Sequence, residues 1–220
     1  MNKNYVRGVD PKAMDLSGLC CRTHISEWLI HEEEIGYFGA GREISICTVF
    51  VYQEEDMKIS IRKTVASEAQ ILSQIQKAAF SPLYEKYHDK GNPCLRGEED
   101  ILRRFNPYNH YFTILCNDEI VGGIFYRCAG TRPPAIKIEK GEYYLCRIYV
   151  HPDYQGRGIA SKAILLCEKE FSDAKVFYVD FPRDLEKNRR CYEKAGYKDT
   201  GESMAIEGAP VLAMYKKIVG

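Results

Sequence analysis

Gln155-Gly156-Arg157-Gly158-Ile159-Ala160-Ser161 has the residue types and order of an anion site. It stands between an apolar run, Tyr143 to Val150, and a segment with Ala160, Ile164, Cys167 and Phe171 on one helical face. The first reads as a strand and the second as an amphipathic helix. The first amides of a helix have no internal partner and point outward. The helix macrodipole adds partial positive charge at the same place. Gly156 and Gly158 remove Cβ atoms that would hold a phosphate off those amides, and Arg157 adds charge. Two other phosphate motifs do not fit. No G-x-x-x-x-G-K-[ST] string occurs, and a dinucleotide fingerprint needs Gly or Ala where Ser161 stands. The plainer alternative is an ordinary strand-to-helix turn.

Gln155 to Ala160 matches Q/R-x-x-G-x-G/A, with Ile148-Tyr149-Val150 and His151-Pro152 ahead of it. This resembles the pyrophosphate-binding motif of the GNAT superfamily of acetyl-CoA-dependent N-acetyltransferases. Asn188 to Tyr197 is similar to the family's other signature, N-x-x-x-Y-x-x-x-G-[FY]. Asn188 and Tyr192 are four apart and share a helix face. The resemblance implies acetyl-CoA as co-substrate and no metal. It implies that Ile148, Val150 and Gln155, Gly156, Arg157, Gly158, Ile159 and Ala160 hold that co-substrate, largely by backbone groups. Ser161 would reach a phosphate, Asn188 would bond the pantetheine arm, and the Tyr192 hydroxyl would lie near the thioester sulfur. The competing reading of Tyr192 is a ring packed between helix and sheet.

The family's chemistry is direct attack of a neutral amine on the acetyl carbonyl, which raises two proton problems. A lysine-like amine has a pKa of about 10.4, so roughly one in a thousand is neutral at pH 7. The leaving thiol resembles cysteine, about 8.5, against about 10 for tyrosine. Full transfer from Tyr192 is then uphill by roughly 1.5 units, about 2 kcal/mol, so Tyr192 is expected to act mainly by hydrogen-bonding the developing charge. Some members place a base eleven residues before the motif's glutamine, where this chain has Tyr144. Glu142 lies on the same strand face, roughly 6–7 Å further along, and is the candidate base through a relaying water. His151 is read as structural in the turn, and Cys146 as core, because no partner base is apparent for a covalent acetyl-cysteine.

These residues need a sheet and helices to hold them. The chain has 220 residues, enough for one large domain or one domain with an appendage. Its 31 basic and 31 acidic residues balance, which argues against nucleic acid as the main partner. No apolar run reaches the roughly 18 residues of a membrane span. The N-terminal residues lack a signal peptide's apolar core. Nine dispersed cysteines, an odd number, point to free thiols and a cytoplasmic location.

Residues 1–56 read as an extension docked on the main domain or used between subunits, which admits a homodimer. A helix over Ile25–Ile35 and a strand over Glu43–Tyr52 are expected within it. Cys20, Cys21, His24 and His31 have poor spacing for zinc and are read as buried thiols and surface histidines. From residue 57 the pattern is β-α-α-β-β-β-α-β-α-β-β. Ile59–Arg62 alternates as a strand. A helix with Ile71, Leu72, Ile75, Ala78 and Ala79 on one stripe begins after a capping box at Ser67 and Gln70 and is broken at Ser81-Pro82. A second helix spans 98–105. A hairpin joins Tyr111–Cys116 to Ile120–Tyr126. Lys175–Val179 is a strand, a short helix ends at Gly196, and two strands lie within 197–206 and 211–218. This predicts an α/β fold, GNAT-like, with a mixed, mostly antiparallel sheet flanked by helices. The resemblance covers residues 57–220.

The acceptor side collects Tyr84, Tyr87, His88, Asn92, Arg96 and Glu98 from the early helices, and Glu202, Glu207 and Lys216 from the last hairpin. That mixture selects no one substrate: tyrosines with scattered acids suit a small amine or amino acid, a peptide or protein lysine stays open within the class of primary amines, and there is no acidic run of the kind an aminoglycoside would favour. Two rivals remain open: an inactive acyl-CoA-binding sensor, and a related transferase with a longer acyl donor or an alcohol acceptor.

Overall fold

The computed structural model describes residues 57–205 and 207–219. The expected helix and strand of the extension, and its cysteines and histidines, lie outside the described residues.

The main sheet runs in the order β1-β2-β3-β6-β7-β9-β8. Its strands are β1 (Ile59–Lys63), β2 (Asn109–Cys116), β3 (Glu119–Arg127), β6 (Glu142–Val150), β7 (Val176–Pro182), β8 (Lys198–Met204) and β9 (Leu212–Ile218). Every neighbouring pair is antiparallel except β6 and β7. A two-residue β-ribbon, β4 (Thr131–Arg132) with β5 (Ile136–Lys137), occupies the loop before β6. Asn117 and Asp118 both have positive φ and close the β2–β3 hairpin, as short polar residues in a tight hairpin turn do.

Helices α1 (Ala69–Tyr87) and α2 (Glu98–Leu102) cover one face, and α3 (Ile159–Glu168) and α4 (Glu186–Lys194) cover the other. Two apolar layers result. Ala69, Leu72, Ile75 and Ile101 pack with Tyr111, Phe125 and Tyr149. Ile159, Ala163, Ile164, Cys167 and Tyr192 pack with Leu145, Val150, Phe177, Val179 and Phe181.

Three expectations differ in detail. Helix α1 does not break at Ser81-Pro82 but runs through Pro82 to Tyr87. The Ser81 hydroxyl donates to Lys77 O at 2.7 Å, and Pro82 sits on the exposed side. The helix entry is capped by Glu68 rather than Ser67, with the Val65 amide donating to the Glu68 carboxylate at 3.1 Å. The second helix stops at Leu102, short of 105.

Strands β3 and β6 approach closely at Gly122, where an added Cβ would lie 2.1 Å from the Tyr149 carbonyl oxygen. Gly122→Ala must push two backbones apart. We expect a loss at the upper end of overpacking costs, about 3 kcal/mol, read as a fall in melting temperature of roughly 6–12 °C. A fall under about 2 °C would mean that the strands have room to spare there.

Candidate functional site

The turn after β6 has the conformation that its glycines anticipate. Gly156 and Gly158 have φ of +81° and +76°, in the left-handed region. Gly158 is the N-cap of α3. A Cβ at Gly156 would meet nothing within 4 Å, and one at Gly158 would approach only the Lys194 ammonium, at 3.9 Å. The glycines are therefore required by the backbone, and the space in front of α3 is open. Among the described residues, no backbone carbonyl accepts from the amides of residues 156–161. That leaves an unusually dense set of free donors at a helix N-terminus.

Several side chains in the turn are committed to building it. Gln155 Nε2 donates to Val150 O at 2.8 Å, and Lys187 Nζ donates to Gln155 Oε1 at 2.7 Å. This ties the end of β6 to α4. Ser161 is buried, and its hydroxyl donates to Gly158 O at 3.0 Å. Its amide is among those that no backbone carbonyl of the described residues accepts from. Arg157 is exposed and donates to Asp153 O at 2.9 Å. His151 caps the short turn at 152–154, its ring nitrogen accepting from the Asp153 amide at 3.4 Å. Helix α4 brings Lys187 and Lys194 to this turn, two cations that the motif does not include. Only the packing of α4 beside α3 gives their positions along α4 this meaning.

Next to the turn, the sheet forks. Strand β6 pairs with β3 as far as Val150, but with β7 only from Glu142–Val176 to Leu145–Val179. Beyond Leu145 the two parallel strands part. The His151 amide donates to Val121 O on the β3 side. By alternation, the backbone groups of Ile148 and Val150 face the fork. A bulge between Phe125–Arg147 and Tyr126–Leu145 leaves Cys146 without a strand partner. After it, Arg147 and Tyr149 face α1, while Ile148 and Val150 join the α3 layer.

Helix α4 positions Tyr192 beside the fork. Its ring lies 5.0 Å from Phe181 and 6.0 Å from Tyr197, centroid to centroid. It is 6% exposed, and among the described residues its hydroxyl has no hydrogen-bond partner. Burial pushes the phenol well above the ordinary tyrosine range, with Cys191 and Asp180 adding to the shift. Tyr192 is thus a neutral donor. Asn188, one turn earlier on α4, is half-buried.

The structure does not bring Glu142 to the fork. It sits in the still-paired part of β6, opposite Val176 and three residues before the strands part, roughly 10 Å along the strand. Tyr178 OH donates to its Oε1 at 3.1 Å, and the Glu139 amide donates to its Oε2 at 3.0 Å. Both oxygens are engaged in closing the turn into β6. The carboxylate at the fork is Asp180, the first β7 residue past the last paired one. The Tyr144 hydroxyl donates to its Oδ1, and burial raises its pKa above the usual carboxylate range. Asp180 alternates with Phe177, Val179 and Phe181 along β7. That alternation was the signal available in the sequence. Cys146 stands near it, and burial pushes its thiol up to about 12, which holds the thiol neutral.

On the α1 face a buried polar network joins three elements. Arg147 donates to Gln76 Oε1 at 2.7 Å and to Asp100 Oδ2 at 3.2 Å, and Arg104 pairs with Asp100 at 2.9 Å. Burial pushes the Asp100 carboxyl up, but the Arg104 and Arg147 guanidiniums outweigh it and hold it below the ordinary range. Of the expected acceptor-side residues, Tyr87 donates to Asp184 Oδ1 at 2.5 Å, joining the end of α1 to the segment after β7. Asn92 is buried and caps the following turn, accepting from the Cys94 amide at 2.9 Å.

The family model described as "Acetyltransferase (GNAT) family" matches residues 72–197, more than half of the chain. No curated protein matches. Among solved structures, an aminoglycoside acetyltransferase AAC(6')-Ib in complex with coenzyme A is similar at TM-score 0.58 and 14% identity, covering 73% of this chain and 95% of that one. The ribosomal-protein-S18-alanine N-acetyltransferase from Escherichia coli aligns at TM-score 0.53 and 13% identity, over 74% and 95%. PaiA N-acetyltransferase from Thermoplasma acidophilum, in complex with coenzyme A, aligns at TM-score 0.55 and 18% identity, over 74% and 100%. At these identities the likeness is one of fold.

Proposed function

This chain belongs to the acetyltransferase (GNAT) family, which makes it an acyltransferase, and on that premise we propose that it moves the acetyl group of acetyl-CoA to a primary amine of a small molecule or peptide by direct attack. One observation carries the reading. A fork between two parallel strands opens beside a turn whose amides, 156–161, have no carbonyl partners among the described residues. Free amides, open space and Lys187 and Lys194 suit a pyrophosphate. The fork suits a narrow, amide-bearing arm, with Ile148, Val150 and Asn188 as its polar contacts.

The chain's own residues then divide the work. The turn binds the diphosphate and fixes the thioester's depth in the fork. Backbone amides of the parted β6 are available to polarise the acetyl oxygen. Tyr192 donates a hydrogen bond to the departing sulfur and remains mostly protonated, because burial has raised its pKa. The neutral Cys146 thiol favours direct transfer over an acetyl-cysteine. The two named acceptor types among the neighbours, an aminoglycoside and a ribosomal protein, belong to those proteins. We further propose a catalytic domain spanning 57–220, with residues 1–56 as an extension. The dispersed, odd-numbered cysteines support a cytoplasmic location.

The test is a melt with and without acetyl-CoA, followed by thiol release with a panel of primary amines. At a hundred times the dissociation constant, binding contributes about 2.7 kcal/mol, so the melting point should rise by roughly 5–10 °C. No shift at millimolar acetyl-CoA would overturn the proposal. A shift with no thiol release from any amine would favour the sensor reading.

A further inference from the structure

Among the described residues, two buried side-chain polar atoms have no hydrogen-bond partner: the Tyr126 hydroxyl and Arg132 Nε. Tyr126 is sealed within the α3 layer. Arg132 stands in the loop before β6, on the other face of the sheet. We propose that Arg132 holds a carboxylate of the acceptor while the acceptor's amine lies in the fork. The inference rests on the reading of the fork as an acetyl-transfer site and adds a substrate class to it: an amino acid or short peptide with a free carboxylate.

The loop before β6 is built around this side chain. Thr131 pairs with Lys137 and Arg132 with Ile136. The Ile138 amide donates to Gly130 O at 2.9 Å, and Arg127 Nη1 donates to Thr131 O at 3.4 Å. The ribbon so formed sets the Arg132 guanidinium over the Tyr178 ring, 3.6 Å from its centroid. Arg132 is 7% exposed, and its Nη1 donates to Pro133 O at 2.8 Å. Neither Nε nor Nη2 has a hydrogen-bond partner among the described residues. Nor does Arg132 form an ion pair there. Nε and Nη2 make the side of a guanidinium that grips a carboxylate with two parallel hydrogen bonds. The tyrosine face offsets part of the cost of burying the cation, and an anion would offset the rest.

This edge lies on the acceptor side, close to the fork. Phe177 and Val179 point into the α3 layer, so Tyr178 lies on the opposite face. Tyr178 pairs with Tyr144, one pair before the last β6–β7 pair, Leu145–Val179. The next residue of β7 on that face, Asp180, is already past the split, roughly 6–7 Å along the strand. An amine in the fork and a carboxylate over Tyr178 are therefore about one such step apart. Two extended peptide residues cover about 7 Å, and the side chain of free lysine is of similar reach.

The charge of this face fits an anion. Lys216 is the strand partner of Tyr178, and Lys198 is the strand partner of Lys216. Directly paired residues share a face, so both lysines add positive field beside the ring. Neither forms an ion pair among the described residues. The acids on this face have other partners. Tyr178 and the Glu139 amide engage Glu142, and Tyr144 donates to Asp180. The face is also open to a ligand, because Tyr178 is half-buried and Lys216 exposed. Fixing the carboxylate at Arg132 sets the depth and direction of the amine.

The test uses the full chain and acetyl-CoA with three matched pairs: 6-aminohexanoate, lysine and alanyl-alanine, each beside its amide. In the parent at least one acid should exceed its amide in kcat/KM by about 10- to 100-fold, mostly through KM. Arg132→Met should bring that pair within about threefold of each other. Arg132→Lys keeps the charge but not the planar edge, and it should keep only part of the ratio. An arginine that merely pins the ribbon would lower acid and amide together and leave their ratio intact. Amides as fast as acids in the parent, or a ratio unchanged in both variants, would overturn the proposal. If no amine reacts, the Nε–H NMR signal of Arg132 in the parent decides. A shift on adding 6-acetamidohexanoate with coenzyme A, absent with the corresponding amide, supports it, and a signal indifferent to both overturns it. Absence of the acetyl-CoA melting shift in the parent would instead count against the acetyl-transfer reading itself.

Discussion

Tyr192→Phe is expected to lower kcat by about 10²- to 10³-fold while leaving the acetyl-CoA melting shift in place. The substitution removes one oxygen and little else. The ring contacts with Phe181 and Tyr197 are retained. Among the described residues the hydroxyl has no hydrogen-bond partner, so its loss strands no donor or acceptor, and stability should change by less than about 1 kcal/mol. On the proposed reading, what disappears is a neutral donor that serves the departing sulfur as negative charge develops there. An interaction made only in the transition state lowers kcat and kcat/KM together and leaves substrate binding alone. The raised pKa of Tyr192 adds a second expectation: the parent enzyme should show no basic limb from this phenol below pH 10. A variant retaining a third or more of the parent kcat would mean that Tyr192 is a packing ring.

The sequence made the scaffold of this site readable, but not its acid-base chemistry. The alternation of β6, the two glycines and the stripe of α3 are local patterns, and each is set by neighbours within a few residues. The same alternation places Glu142 on the face that carries Tyr144, where Tyr178 meets it. Its failure to reach the fork depends on where β6 and β7 part, and that is set by pairing between residues about 34 apart in the chain. The position of Asp180 is illegible for the same reason. Within β7 it is simply the polar member of an alternating strand, and only the parallel register makes it the first residue past the fork. The bulge at Cys146 is a further case. A strict period of two from Tyr144 would carry Ile148 and Val150 to the α1 face, whereas the bulge sends them to the α3 layer. Gln155 and Ser161 illustrate a different limit. Their types are those of ligands, and the structure adds a role that the motif does not show: both side chains bond the turn's own backbone. Pro82 marks a third, since an exposed helix face tolerates a residue that local propensity would exclude.

Gly158→Asp is expected to weaken acetyl-CoA binding by at least about 100-fold, and it isolates charge from backbone strain when set beside Gly158→Ala. At φ +76° any side chain is strained, at roughly 1–2 kcal/mol, and aspartate tolerates that region better than most residues. Space is not the obstacle, because the nearest atom to an added Cβ is the Lys194 ammonium at 3.9 Å. Both variants should therefore fold, with a melting point lower by roughly 2–8 °C. They should differ in what they do to the ligand. The alanine adds a methyl group in open space. The aspartate sets a carboxylate in front of the free amides of α3, where it repels a diphosphate and pairs with Lys194. At an acetyl-CoA concentration that gives the parent about 2.7 kcal/mol, a hundredfold weaker variant gains about 0.4 kcal/mol. The melting shift should then shrink from roughly 5–10 °C to about 1 °C, while Gly158→Ala keeps most of it. If Gly158→Asp kept the full shift, the amides of residues 156–161 would not be the anion site. The ligand's charge would then have to be met elsewhere on the chain. If both variants lost the shift equally, the turn's backbone geometry rather than its field would be what the ligand reads.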